Sequence, residues 1–168
     1  HANEFVLVIG AGPIGLGVIE FAKIAKGNVI VMDVNDHRLQ FCKDNLSVEH
    51  TINPLKQDAL QVLKSITNLQ MPTVVIDATG NLHAINNALQ YLAHSGRYVL
   101  VGLQKEAFSF SHPEFHKREA TLMSSRNATR SDFDWVIQCM QNGLINPSTY
   151  ITHRIPFDLL KEEFNSLL

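Results

Sequence analysis

Gly10-Ala11-Gly12-Pro13-Ile14-Gly15 sets three glycines and a proline directly after the continuous apolar run Phe5 to Ile9. Those residue types in that order build a cradle for an anion. Gly10 suits a tight turn, Gly12 lets a diphosphate approach the backbone, and Gly15 lets a helix pack close to its strand. Pro13 fits the first helical turn, where an N–H would have no intrahelical partner anyway. The neighbouring N–H groups and the positive end of the helix dipole then face the negative charge. The pattern alone is a weak signal, because glycines gather in many turns. Its place between a buried strand and a helix gives it weight.

Asp33 closes the second apolar run, Val29 to Met32, at a position about 20 residues beyond the glycines. A carboxylate there accepts hydrogen bonds from the adenosine ribose and opposes a 2′-phosphate, so the pattern points to NAD over NADP. The plain alternative is a helix-capping aspartate. Arg38, on the following helix, is by itself a surface arginine within reach of the adenine or its ribose. Two further strand ends carry small residues, Thr79-Gly80 and Val101-Gly102-Leu103. Ligands of open α/β sheets sit outside the carboxyl ends of the strands, which puts both segments beside the nicotinamide and its ribose. Ordinary turns would read the same way.

The elements that must hold these residues alternate. Phe5 to Ile9, Val29 to Met32, His50 to Asn53, Thr73 to Ile76 and Arg97 to Val101 read as strands. Between them, Leu16 to Lys26, Asn35 or Asp36 to about Asn45, Gln57 to Thr67 and Leu82 to Ala93 read as helices. Beyond Leu103, Ala107 to Phe110 alternates like an edge strand and His112 to Arg118 reads as a short helix. Ala120 to Ser125 reads as a sixth core strand and Asp132 to Gln141 as a helix. Ile151 to Ile155 reads as extended, and a final helix begins near Phe157. Apolar strands alternating with helices predict an α/β, three-layer Rossmann fold. Its sheet is six-stranded, mainly parallel and doubly wound, with helices on both faces. Residues 1–150 are expected to form the dinucleotide-binding domain. Residues 151–168 are expected to be a truncated segment leading toward a second domain, since the chain opens on His1 and ends inside an apolar helical pattern.

The 168 residues carry a net charge of −2, with 45% hydrophobic and 18% charged side chains, which speaks against a nucleic-acid or membrane surface. No apolar run is long enough to span a bilayer. The two cysteines, Cys42 and Cys139, lie far apart and form no CxxC pair, so a reduced, cytoplasmic protein is the expectation. Eight histidines are scattered without zinc-site spacing. His112 and His116 stand four apart and could share a helical face, where a solvated surface is the better reading than a metal site.

Six segments resemble the medium-chain dehydrogenase/reductase family, in its zinc-type alcohol, sorbitol and threonine dehydrogenase branch. They are VLVIGAGPIGLG, VMDVNDHRL, DATGN, GRYVLVGL, KREATLMSSRNA and ITHRIPFDLLKEEF, in the family's order from Val6 to Phe164. The resemblance implies that Ile14 contacts the pyrophosphate, Asp33 binds the ribose and Arg38 is the adenosine-side basic residue. It also implies that Val101, Gly102 and Leu103, with Ser125 and Arg126, lie on the nicotinamide side. Ser124 stands where the family often has glycine. The segment Ala107 to Ser125 resembles the edge that joins subunits, implying a homodimer or homotetramer. The family's catalytic zinc sits on a domain ahead of this segment, so zinc is expected only there and no catalytic residue is assigned here. Cys42 and Cys139 are not carried over as ligands. The implied parent is an NAD-dependent enzyme passing hydride between a small alcohol or polyol and nicotinamide, with this piece alone inactive. The rivals are a zinc-free NAD(P)H reductase of the same superfamily, which Asp33 opposes, and a regulatory NAD-binding module, which lacks the ITHR-and-helix tail. An SAM-type methyltransferase is a distant third.

Overall fold

A computed structural model describes residues 1–167; Leu168, the end of the expected 151–168 segment, lies outside the described residues. The chain forms two compact units, one over His1–Ala128 and one beginning at Thr129.

In the first unit the strands are β1 (Phe5–Ile9), β2 (Asn28–Met32), β3 (His50–Ile52), β4 (Val74–Asp77), β5 (Arg97–Leu100) and β6 (Thr121–Ser124). The helices are α1 (Pro13–Ile24), α2 (Asp36–Leu46), α3 (Ala59–Ile66), α4 (Leu82–Ala88) and α5 (His112–Lys117). The sheet order is β3-β2-β1-β4-β5-β6 and every pairing is parallel. Parallel neighbours need long crossovers, and the helices supply them. Strands covered on both faces are written as unbroken apolar runs. Leu7, Val8, Ile30, Val31, Ile52 and Val75 are wholly buried as a result, each worth about 1.5–3 kcal/mol of transfer free energy. The register aligns Ile52, Met32, Ile9, Asp77, Leu100 and Ser124 in one row across the carboxyl edge. Whatever follows those residues emerges on one side of the sheet. The strand order reverses between β1 and β4, where open sheets of this kind leave a crevice.

Several boundaries differ from expectation for local reasons. Pro13 starts α1 ahead of Leu16. Asp58 caps α3 by accepting from the Gln61 N–H, so that helix starts later than Gln57. The helix expected to reach Ala93 stops at Ala88 and tightens into a 3-10 turn over Leu89–Tyr91. Ala107 to Phe110 forms no strand. The Ser109 N–H donates to the Asn86 side chain at 2.9 Å instead of to a ladder, and the Phe110 ring packs on Phe115 at 5.0 Å. β6 is therefore the sheet edge.

At the amino ends of the strands, Glu4 ties the starts of β1, β4 and β5 together. Arg97 donates to both of its carboxylate oxygens at 2.8 Å, and the Thr73 hydroxyl donates at 3.0 Å. The His1 ammonium is the first cause holding the Glu4 carboxyl below its usual range, with Thr73 and Arg97 adding to it. A depressed carboxylate contributes stability that is present above its unfolded pKa, about 4.3, and is lost as pH falls through the folded value. Urea unfolding between pH 6 and pH 3 should therefore show a steeper acid loss for the native chain than for Glu4→Gln. Equal slopes would remove Glu4 from the account.

In the second unit α6 (Arg130–Gln141) begins earlier than expected, because the Asp132 carboxylate accepts from the Thr129 N–H and hydroxyl, both at 2.7 Å. A 3-10 turn, Pro147–Tyr150, precedes the stretch 151–156, which joins no ladder. The chain then runs through a 3-10 turn at Phe157–Leu159, α7 (Leu160–Glu163) and a further 3-10 turn at Phe164–Leu167. Among the described residues no helix is long and apolar enough to cross a membrane.

Candidate functional site

The residue after Ile9 is Gly10, and it turns the chain with φ +96°, a conformation that side chains rarely adopt. Its N–H donates to the Met32 carbonyl at 2.8 Å. Gly15 meets this turn so closely that a Cβ on it would lie 1.7 Å from the Gly10 carbonyl oxygen. The pair brings α1 down onto the end of β1. The helix start that results is unusual in its unit. Asn35, Asp58, Asn81 and Ser111 cap α2, α3, α4 and α5 with their side chains. Gly12, the N-cap of α1, has no side chain to do so. The first N–H groups of a helix have no intrahelical partner. Ile14 and Gly15 thus present theirs at the positive end of the helix, with Pro13 between Gly12 and Ile14 offering none. A Cβ on Gly12 would find its nearest neighbour, Arg38 Nη1, only at 4.0 Å. The protein leaves the space before Gly12 open. Ile14 stands half-exposed beside it.

Asp33 follows Met32 in the same edge row and faces this turn. Its Oδ2 accepts the Ala11 N–H at 2.7 Å and its Oδ1 accepts the Asn35 N–H at 2.8 Å. Each carboxylate oxygen has a further lone pair, so two acceptor positions remain at the mouth. Arg38 reaches Asp33 only at 3.9 Å and is largely exposed, leaving its guanidinium able to meet a ligand. Cys42 lies wholly buried behind them. Burial first, and then the Asp33 charge, push its thiol up to about 11.

Across the switch point, Thr79 and Gly80 follow β4. A Cβ on Gly10 would lie 2.8 Å from the Thr79 methyl, so this turn borders the glycine loop. Val101 and Gly102 follow β5, and their N–H groups donate to the Asp77 carbonyl at 2.9 and 3.0 Å. Leu103 is 85% exposed, an apolar side chain held out at the edge. The Ser125 N–H donates to the Leu100 carbonyl at 2.9 Å. Ser125 and Arg126 are exposed at the end of β6, the strand furthest from β1 on this side. The structure thus gathers the glycine loop, Asp33, Arg38 and the β4 turn at the carboxyl edge of the sheet, with the β5 turn next to them and Ser125 and Arg126 beyond.

Sequence reasoning passed over Ala11, whose N–H locks Asp33 to the loop, and Asp77, whose carboxylate organises the β4 turn. Each needed the strand register to be seen. In the sequence Asp77 shows only as an aspartate closing the apolar run Thr73 to Ile76. A cavity of about 380 Å³ opens at the far edge of the sheet among Phe5, Lys23, Asn28 and His50. It offers neither an uncapped helix start nor an aspartate, whereas the carboxyl edge has both. The His112 and His116 rings are 6.0 Å apart on α5. Among the described residues no group of three or more His, Cys, Asp or Glu gathers as a metal site would require.

The family model described as zinc-binding dehydrogenase matches residues 13–142. The chain is 42% identical to L-galactonate-5-dehydrogenase of Escherichia coli, over 96% of this chain and 47% of that one. It is 33% identical to D-xylulose reductase of Scheffersomyces stipitis, over 92% of this chain and 45% of that one. Among solved structures it is similar to an Escherichia coli protein described as a short chain alcohol dehydrogenase in complex with NADH. There the TM-score is 0.86 and the identity 30%, over 98% of this chain and 48% of that one. The chain spans about half the length of the curated relatives it matches.

Proposed function

The chain belongs to the zinc-binding dehydrogenase family, and from that premise we propose that it is the NAD-holding half of an alcohol or polyol dehydrogenase. One observation carries the reading. An uncapped helix start, kept open at Gly12, faces a buried carboxylate that still has acceptor positions to offer. Ile14 and Gly15 would hold the diphosphate through their N–H groups. Asp33 would take the adenosine ribose hydroxyls, with Arg38 against the adenosine side. Thr79, Gly80, Val101, Gly102 and Leu103 would flank the nicotinamide half, with Ser125 and Arg126 further out on that side. NAD, when bound, supplies the acceptor or donor of a hydride. This chain's part is to hold and orient it. The relative solved with NADH supports that cofactor, and the relatives named for galactonate and xylulose support an alcohol or polyol substrate.

The described residues do not fit a zinc ion. No donor cluster forms, and the Cys42 thiol is buried and protonated. No step is therefore derived through zinc, whose ligands we place on a part of the longer protein outside this chain. Residues 1–150 would serve as the cofactor domain, with 151–168 leading away from it. The exposed edge strand β6, with Leu122 and Met123 partly open to solvent, supports a homodimer or homotetramer joined through Ala107–Ser125. Both cysteines are free thiols, which supports a cytoplasmic setting.

Titration of the chain with NADH and NADPH, followed by nicotinamide fluorescence, tests the cofactor assignment. NADH should bind at least about tenfold more tightly, the cost of setting a phosphate against a carboxylate. Tighter NADPH binding would overturn it.

A further inference from the structure

We propose that Asp77 is the positioning residue for the nicotinamide half of the cofactor, fixing both turns that border it with one carboxylate and one carbonyl. The inference rests on the cofactor reading above and deepens it.

Asp77 ends β4 and is wholly buried. It pairs with Ile9 on one side and Leu100 on the other, so it sits at the switch point itself. Its Oδ1 accepts three hydrogen bonds from the turn that follows. They come from the Thr79 N–H at 3.0 Å, the Thr79 hydroxyl at 3.0 Å and the Gly80 N–H at 3.2 Å. The Thr79 hydroxyl also lies 3.1 Å from Oδ2 and accepts the Asn81 N–H at 2.9 Å. Asn81 in turn caps α4. The Asp77 main-chain carbonyl accepts the Val101 and Gly102 N–H groups. A single residue thereby anchors the exits of β4 and β5.

The two exits interlock. A Cβ on Gly102 would lie 2.2 Å from the Gly80 nitrogen, and one on Gly80 would lie 2.7 Å from the Leu103 carbonyl oxygen. The Gln104 amide donates to the Gly80 carbonyl at 3.2 Å. Any shift of the Thr79-Gly80 turn must therefore move Val101 to Leu103 with it. On the other flank the Thr79 methyl borders Gly10.

A buried carboxylate is a costly way to finish a strand. Among the described residues no cation pairs with it; the bonds come from turn N–H and O–H groups. Burial pushes the carboxyl up, and the bonds from Thr79 and Gly80 pull it back. Folding alone would be served by an apolar residue, as it is at Ile9, Met32 and Leu100 in the same row. The carboxylate stands only where the turn must hold one shape. Asp33 one half-fold away turns toward the groove, while Asp77 turns into its own loop. The first meets the ligand and the second holds the surface that the ligand meets.

ADP carries the adenosine and diphosphate without the nicotinamide or its ribose, which separates a local positioning role from a general structural one. Asp77→Ala should weaken NADH binding about tenfold, because it leaves buried N–H groups without an acceptor. ADP affinity, measured calorimetrically, should stay within about twofold. Equal loss of both ligands, or no loss of either, would overturn the proposal. Asp77→Ser keeps one neutral oxygen on a shorter arm, too few acceptors for the Thr79 and Gly80 N–H groups. Should Asp77→Ala not fold, Asp77→Ser decides: NADH weakened several-fold with ADP unchanged supports the proposal, and unchanged NADH overturns it. A native chain that binds neither ligand overturns the cofactor reading itself, and this inference with it.

Discussion

Gly12→Val is expected to leave the fold standing and abolish dinucleotide binding, whereas Gly15→Ala is expected to damage the fold first. The two glycines lie three residues apart on one loop, yet their surroundings are opposite. Gly12 has φ −77°, an ordinary conformation for any residue, and a Cβ there meets nothing nearer than 4.0 Å. The chain tolerates a side chain at that point, at a cost of no more than about 1 kcal/mol for the poorer helix N-cap. A bound diphosphate would not tolerate it, because the isopropyl group would fill the space through which the phosphate is proposed to reach the Ile14 and Gly15 N–H groups. Loss of the main anion contacts should exceed about 100-fold in NADH affinity. Gly15 has no such room. Its added Cβ would lie 1.7 Å from the Gly10 oxygen and 2.8 Å from the Gly10 carbon, both main-chain atoms. α1 must move off β1, at a cost of about 3 kcal/mol or more, the upper end for overpacking. Urea unfolding and NADH titration of both variants would separate the effects. Normal NADH binding by Gly12→Val would remove the cradle from the account.

What the sequence revealed of this fold follows from how far each feature depends on its neighbours. The central strands were legible because burial on both faces leaves runs such as Phe5 to Ile9 with no polar interruption. The glycine loop was legible because its turn and close packing are local demands on six consecutive residues. Ala107 to Phe110 was misread for the converse reason. Phe108 and Phe110 alternate as strand residues do, but their rings serve a cluster with Phe115, which no local period encodes. The start of α1 was placed late because the apolar period begins at Leu16, while Pro13 had already fixed the first turn. The hydrogen bond from Ala11 to Asp33 and the double anchorage at Asp77 exist only once β1 lies between β2 and β4 in this register. Spacing alone pointed to Asp33 as a ligand residue, and gave no hint that the same carboxylate also braces the loop opposite.

That double duty sets the expectation for Asp33→Ser, which should lose NAD affinity about 100-fold and favour NADP relative to the native chain. The native carboxylate has two oxygens, each with one main-chain N–H bound and one lone pair left. Two ribose hydroxyls donating to a charged acceptor are worth about 1.5–3 kcal/mol each. Serine offers one neutral oxygen on a shorter arm and gives up most of that. It also removes the negative charge that a 2′-phosphate would meet. Arg38, loosely held at 3.9 Å from the carboxylate and largely exposed, is then released to pair with the phosphate. The bracing role predicts a separate cost, since the Ala11 N–H loses its buried partner. About 1–2 kcal/mol of stability should go with it. Paired titrations with NADH and NADPH measure the first effect and urea unfolding the second. A variant with the native cofactor preference and reduced stability would leave Asp33 as a brace alone, and the ribose contact would have to be sought elsewhere in the groove.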